Sequence, residues 1–135
     1  MQDQSQGSKG ADRSAARRAL GAEGETRAAA YLSARGYRIL ERNARAGRVE
    51  LDLVVARGGV VAFVEVKTRR SRIAGAPEEA VDFRKRERLV RGALAWLAER
   101  GVHARRVRFD VVACEWHASG AWSLRHLEGA FDAGD

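Results

Sequence analysis

The stretch VELDLVVARGGVVAFVEVKTR, residues 49–69, consists of two apolar, strand-like runs around Gly58-Gly59. Between them the runs carry Glu50, Asp52, Glu65 and Lys67. Charged groups inside apolar strands cost stability unless something compensates them, and a divalent cation with a phosphate would do so. Side chains alternate between the faces of a strand. Glu50, Asp52 and Val54 are therefore expected on one face of the first run, and Val61, Phe63, Glu65 and Lys67 on one face of the second. A Gly-Gly pair suits a two-residue hairpin turn, which pairs Arg57 with Val60 and places Asp52 opposite Glu65 and Glu50 opposite Lys67. Opposed Cβ atoms lie roughly 5 Å apart, and two carboxylates that close repel unless a proton or cation is shared. Hard cations such as magnesium bind through carboxylate oxygens and keep several waters. The plainer reading is a salt-bridged sheet face with Glu50 paired to Lys67, but it does not account for Asp52 facing Glu65.

Composition sets the limits around this hairpin. A chain of 135 residues can hold one domain with its own core. With 45% hydrophobic and 32% charged residues it is ordinary apart from its basicity. No apolar run approaches the length of a membrane span, so no membrane association is expected. The N-terminal MQDQSQGSKGADRSAARR lacks the apolar core of a signal peptide. The single cysteine, Cys114, allows no internal disulfide and no Cys/His cluster suggests zinc; within RFDVVAC it reads as a small buried residue. A cytoplasmic location is the expectation from these absences. The formal net charge of +7 is unevenly spread. From Lys67 to Arg91 nine basic residues stand against four acidic ones, so the excess lies beside the acidic hairpin. That distribution fits a phosphate backbone held over a cation site, and equally a solvated arginine-rich face.

Residues 1–18 are polar and read as a disordered tail, and 132–135 as a C-terminal tail, leaving one domain over 19–131. A first helix is expected from about Ala19 to Arg35, stopped by Gly36. Its apolar stripe is Ala28, Ala29 and Leu32, and Glu25 shares that stripe. Such a glutamate is either functional or a helix-dipole or capping device. Strands are expected over 37–42, 49–56 and 60–68. The loop SRIAGAP follows, with Pro77, and then a second helix from about Glu78 to Arg100. Its stripe is Leu89, Val90, Ala93, Leu94 and Leu97, with Lys85 at the margin. Strands over 107–114 and 122–127 complete the chain. The first three strands can form an antiparallel meander, and the crossover through the second helix should set the fourth strand parallel to the third. The expected fold class is α/β, a mixed β-sheet flanked by helices in the order αβββαβ(β).

Glu25 on a helix, Asp52 on a strand and Glu65-Val66-Lys67 on the next strand resemble the restriction-endonuclease-like PD-(D/E)XK nuclease core, in its Holliday-junction-resolvase-like branch. More specifically, the chain resembles the YraN family of small bacterial proteins. The resemblance rests on GAEGETRAAAYLSARGYRILERN (Gly21–Asn43), VELDLVV (Val49–Val55), FVEVKTR (Phe63–Arg69), GAPEEAVDFRK (Gly75–Lys85) and RFDVV (Arg108–Val112). It spans nearly all of the expected folded part. The one departure is Val49, where the family usually has glycine; no carboxylate is lost.

The resemblance implies hydrolysis of phosphodiester bonds in nucleic acid, DNA ahead of RNA, with Mg2+ or Mn2+ as cofactor. Asp52, Glu65 and the backbone carbonyl of Val66 would hold the ion, with Glu25 completing the site directly or through water. Lys67 would position water or stabilise developing charge, with Glu50 restraining it. Lys85 would reach a phosphate, and Arg45, Arg48, Arg69, Arg70 and Arg72 would line the nucleic-acid surface. A nucleic-acid-binding protein that keeps the fold without cleaving is the alternative. Enzymes of this kind that cut junctions are usually dimers, because two symmetric cuts need two sites. Trp96, Trp116 and Trp122 could serve a homodimer interface or the core, and the sequence leaves the oligomeric state open.

Overall fold

A five-stranded sheet of order β1-β2-β3-β4-β5 forms the centre of the computed structural model, which describes residues 5–71 and 83–131. The elements are α1 (Ser5–Ala34), β1 (Arg38–Ala46), β2 (Val49–Arg57), β3 (Val60–Arg70), α2 (Phe83–Arg100), β4 (Arg106–Trp116) and β5 (Trp122–Phe131). Strands β1, β2 and β3 form an antiparallel meander. Strand β4 pairs parallel to β3 over its full length, and β5 returns antiparallel. The expected mixed sheet and element order are thus present.

Both meander turns are two residues long, and both have positive φ throughout: Gly47 (56°) with Arg48 (62°), and Gly58 (57°) with Gly59 (81°). Two consecutive residues in that region make the turn whose twist matches a hairpin. Arg57 therefore pairs with Val60, as the Gly-Gly pair implied.

Two cores lie on the two faces of the sheet. Ala62, Val64, Val112 and Cys114 pack with Leu53 and Val55 against Ala28, Ala29 and Leu32 of α1. Val61, Phe63, Phe109 and Val111 pack with Val49, Leu51 and Val54 against Leu89, Ala93 and Trp96 of α2. Trp96 is therefore a core residue, with its indole N–H donated to Glu41 at 2.8 Å. Leu94, placed in the apolar stripe by periodicity, is 64% exposed. Gly92 and Trp96 take the inward positions instead, because only a glycine lets α2 come this close to β2.

Helix α1 starts at Ser5, well before the expected Ala19. The alanines and arginines between are good helix formers, and from Gly10 to Ala19 the helix is almost wholly exposed. Burial begins at Gly24, where the helix meets the sheet. The expected loop around Pro77, the start of the second helix at Glu78, Arg72 and the tails at 1–4 and 132–135 lie outside the described residues. No described helix is long and apolar enough to cross a membrane.

Candidate active site at a fork between two strands

Strands β2 and β3 part company where the charged residues begin. Their paired positions run from Arg57↔Val60 to Leu53↔Val64 and stop there. Beyond that point β2 continues to pair only with β1, through Leu51, Glu50 and Val49. The facing of β2 changes at the same place. Val49 and Leu51 contribute to the α2-side core, whereas Leu53 and Val55 contribute to the α1-side core. The simple alternation expected for Glu50 and Asp52 is therefore broken at Asp52.

Asp52 itself fills the gap. Its Oδ2 accepts the backbone N–H of Val66 at 2.8 Å, in the place of a ladder carbonyl. Burial first, and the Glu65 carboxylate second, push its pKa up to about 7. The repulsion expected from facing carboxylates is thus present.

Strand β3 keeps its alternation, so Glu65 and Lys67 follow Val61 and Phe63 towards α2. The first turn of α2 meets them there. Lys85 Nζ lies 2.6 Å from Glu65 Oε1, and Lys67 Nζ lies 3.7 Å from the same oxygen. Burial, and then the neighbouring Lys85, lower the Lys67 pKa. Lys85 is raised: burial opposes its charge, but its hydrogen bonds to Glu65 and Lys67 outweigh that. Lys67 is thus tied to Glu65 rather than to Glu50, its expected partner. The parting of the strands separates the outer pair of the extrapolated register. A cleft of about 270 Å³ opens here, lined by Val49, Glu50, Asp52, Glu65, Lys85, Arg88 and Leu89.

Glycines bring both helices to this end of the sheet. A Cβ on Gly24 would stand 2.0 Å from Thr68 Oγ1, so α1 lies directly on β3 next to Lys67. A Cβ on Gly92 would stand 2.8 Å from that of Val49, next to Glu50. Glu25 follows Gly24 and reaches the edge of the fork. Burial raises its pKa, while Arg42 and a hydrogen bond from Asn43 oppose that rise. Glu50 and Glu65 are near enough to add repulsion.

The structure therefore brings Asp52, Glu65, Lys67 and Lys85 together, with Glu25 and Glu50 at the margin. Arg45 and Arg48 lie on the exposed β1–β2 hairpin; Arg69 and Arg70 continue β3 beyond the fork, and Arg70 stacks on Trp116 at 5.0 Å. Three nearby residues were not singled out from sequence as site residues: Arg88, which lines the cleft, and Arg42 and Asn43, which hold Glu25. The last two fall inside the matched block Gly21–Asn43, which was the available signal.

The donors at the fork are oxygens only, and a hard divalent cation shared by Asp52 and Glu65 would relieve the repulsion between them. To that extent the residues fit such an ion. Among the described residues no group of three His, Cys, Asp or Glu side chains closes to metal-binding range.

The profile of the uncharacterised protein family UPF0102 matches residues 24–114, which includes the fork and both sheet faces. A UPF0102 protein of Trichlorobacter lovleyi is 46% identical over 115 residues, 84% of this chain and 91% of the relative. One from Symbiobacterium thermophilum is 47% identical over 116 residues, 86% of this chain and 98% of the relative. One from Beutenbergia cavernae is 49% identical over 114 residues, 84% and 97% of the respective chains. On a match of this extent the chain belongs to the uncharacterised protein family UPF0102.

Proposed function

We propose that this protein is a metal-dependent nuclease with a restriction-endonuclease-like core, hydrolysing phosphodiester bonds in DNA or RNA. One observation carries the reading: a half-buried carboxylate, Asp52, is held beside a second carboxylate, Glu65, with a lysine of depressed pKa, Lys67, at the same point. A protein that needed only a stable sheet would gain nothing from that repulsion, whereas functional sites collect such groups. The likeness of the five sequence blocks to the YraN family and its nuclease superfamily points the same way.

In this reading Asp52, Glu65 and the Val66 carbonyl hold Mg2+ or Mn2+, with Glu25 assisting directly or through water. When bound, such an ion polarises a phosphate and lowers the pKa of a coordinated water. Asp52 is fixed for this task by the Val66 N–H. Lys67, next to Glu65, lies where it could stabilise charge developing on a phosphate oxygen. Lys85 and Arg88 on α2, and Arg45, Arg48, Arg69, Arg70 and Arg72, supply positive charge for the strand backbone. A homodimer and a cytoplasmic site of action belong to the same proposal.

A panel of branched and linear DNA and RNA, incubated with Mg2+ or Mn2+, tests it. Cleavage by the wild type, lost in Asp52→Asn, is expected.

The Lys85–Glu65 contact favours a second reading. At 2.6 Å the ammonium already satisfies Glu65 without a metal, as it would in a nucleic-acid-binding protein that does not cleave. Steep salt dependence of binding, with no cleavage in either metal and no effect of Asp52→Asn, would mark that case.

A further inference from the structure

Contacts at its two ends fix the direction of α1 on the sheet. Gly24 lies on Thr68, near the end of β3, while the carbonyl of Arg35 accepts a hydrogen bond from Arg57 at the β2–β3 turn. From Gly24 the helix therefore runs back along the hairpin, and the residues before Gly24 continue past Thr68. Strand β3 ends at Arg70, roughly 7 Å beyond Thr68. Arg17 and Arg13 precede Gly24 by seven and eleven residues, which is roughly 10 and 17 Å along the helix axis. The first half of α1 thus overhangs the end of the sheet at which the fork opens.

Positions 13, 17, 24, 28 and 32 share one side of a helix. Gly24, Ala28 and Leu32 are buried where that side lies on the sheet. Arg13 and Arg17 continue it beyond the sheet, as the underside of the overhang. Arg18, seven residues before Glu25, continues the side that reaches the fork. All three arginines are exposed, and none has an ion-pair partner among the described residues. Glu23 is occupied by Arg27 at 2.9 Å. Asp12 is adjacent to Arg13 in sequence, a spacing at which helical side chains do not face each other. Between Gly10 and Ala19 the only apolar side chains are alanines. The overhang therefore has no stripe to bury against a protein or in a lipid surface. What it offers is positive charge.

We propose that this overhang is an arm that lies on the phosphate backbone of nucleic acid leaving the fork, with Arg13, Arg17 and Arg18 each on a phosphate. The proposal rests on the fork taking a nucleic-acid strand, and not on cleavage there.

Fluorescence anisotropy of the full chain with a labelled DNA duplex of about 30 base pairs, long enough to pass the arm, tests it in EDTA over a series of salt concentrations. One variant combines Arg13→Gln, Arg17→Gln and Arg18→Gln, and glutamine keeps the helix. A second loses the same charge at the opposite end of the sheet, through Arg38→Gln, Arg105→Gln and Arg106→Gln. In the arm variant the slope of log affinity against log salt should fall by roughly 2–3, with binding at least about tenfold weaker at low salt. The second variant should keep the wild-type slope. Equal slopes for wild type and the arm variant, an equal fall in both variants, or no binding of the duplex by wild type would overturn the proposal. So would loss of binding to phosphatidylglycerol vesicles in the arm variant with duplex binding intact, which would make the partner a membrane surface. Cleavage is measured separately with Mg2+ or Mn2+. A wild type that binds through the arm and never cuts contradicts the nuclease reading alone. One that cuts, with an unchanged slope in the arm variant, contradicts the arm alone.

Discussion

Asp52 accepts the backbone N–H of Val66 at 2.8 Å, one step past the last paired position of the β2–β3 hairpin. The bond pins a carboxylate at the point where two strands separate. It also keeps that carboxylate next to Glu65, at a cost in electrostatic energy that sets the pH behaviour of the fold.

Asp52 has a folded pKa raised from 3.8 to about 7, chiefly by burial. The folded state then holds this proton more tightly than the unfolded chain does. The associated stability is fully present below about pH 4 and is lost as pH rises towards 7, with a ceiling of about 4 kcal/mol. Asn at this position can still accept the Val66 N–H but carries no charge. Asp52→Asn should therefore be more stable than wild type at pH 8 in EDTA, and no more stable at pH 4. Urea unfolding at the two pH values checks this; a variant that is less stable at pH 8 contradicts it.

Lys85 competes with any cation for Glu65 Oε1. A partly exposed ion pair is worth up to about 1 kcal/mol, so Lys85→Ala should tighten Mn2+ binding several-fold in calorimetry. Weaker Mn2+ binding in the variant would show that Lys85 supports the cation rather than replacing it. The same variant should bind nucleic acid less tightly, with a shallower dependence on salt.

Gly24 sits in close contact with Thr68 where α1 crosses β3. A methyl group there would lie 2.0 Å from Thr68 Oγ1, and overpacking of this kind costs about 1–3 kcal/mol. Gly24→Ala should lower the melting temperature, and Thr68→Gly in the same chain should restore part of the loss by removing the side chain it meets. An unchanged melting temperature for Gly24→Ala would mean that the helix sits further from the sheet.

Asp110 on β4 is 1% exposed and takes hydrogen bonds from Arg108 at 2.8 Å and from the backbone of Gly129 at 3.0 Å, with His126 at 2.7 Å. Burial alone would raise its pKa, but the bonds from His126 and Arg108 outweigh it and the net shift is downward. This stability is present above the unfolded carboxylate range and fades as pH falls below about 4. Asp110→Asn should cost about 1–3 kcal/mol at pH 7, because half-buried Arg108 loses its nearer carboxylate and keeps only Glu128, at 3.7 Å. Chemical denaturation gives the number; a loss below about 1 kcal/mol would show the network to be dispensable.

The hairpin was legible in the sequence because its cause is local. Gly58-Gly59 fixes the turn, and the turn fixes the register as far as Leu53 and Val64. Past that point the two-residue alternation assumes a straight strand, and β2 is not straight. The switch of facing between Leu51 and Leu53 comes from β2 following β1 instead of β3, which no short-range pattern encodes. Lys85 was readable as a residue near the site, but its pairing with Glu65 depends on where α2 begins relative to the sheet. The Asp110 network joins Tyr37, Arg108, His126 and Glu128 across the chain. The one sequence hint was an aspartate inside the apolar run RFDVVAC, the same kind of signal that singled out Asp52.

Cleavage of a panel of branched and linear DNA and RNA in Mg2+ and Mn2+, with wild type beside Asp52→Asn, tests the central claim most directly. Metal-dependent cleavage of at least one substrate by the wild type, falling by a factor of a hundred or more in the variant, is the expected result. No cleavage of any substrate in either metal, or equal cleavage by the two proteins, would contradict it.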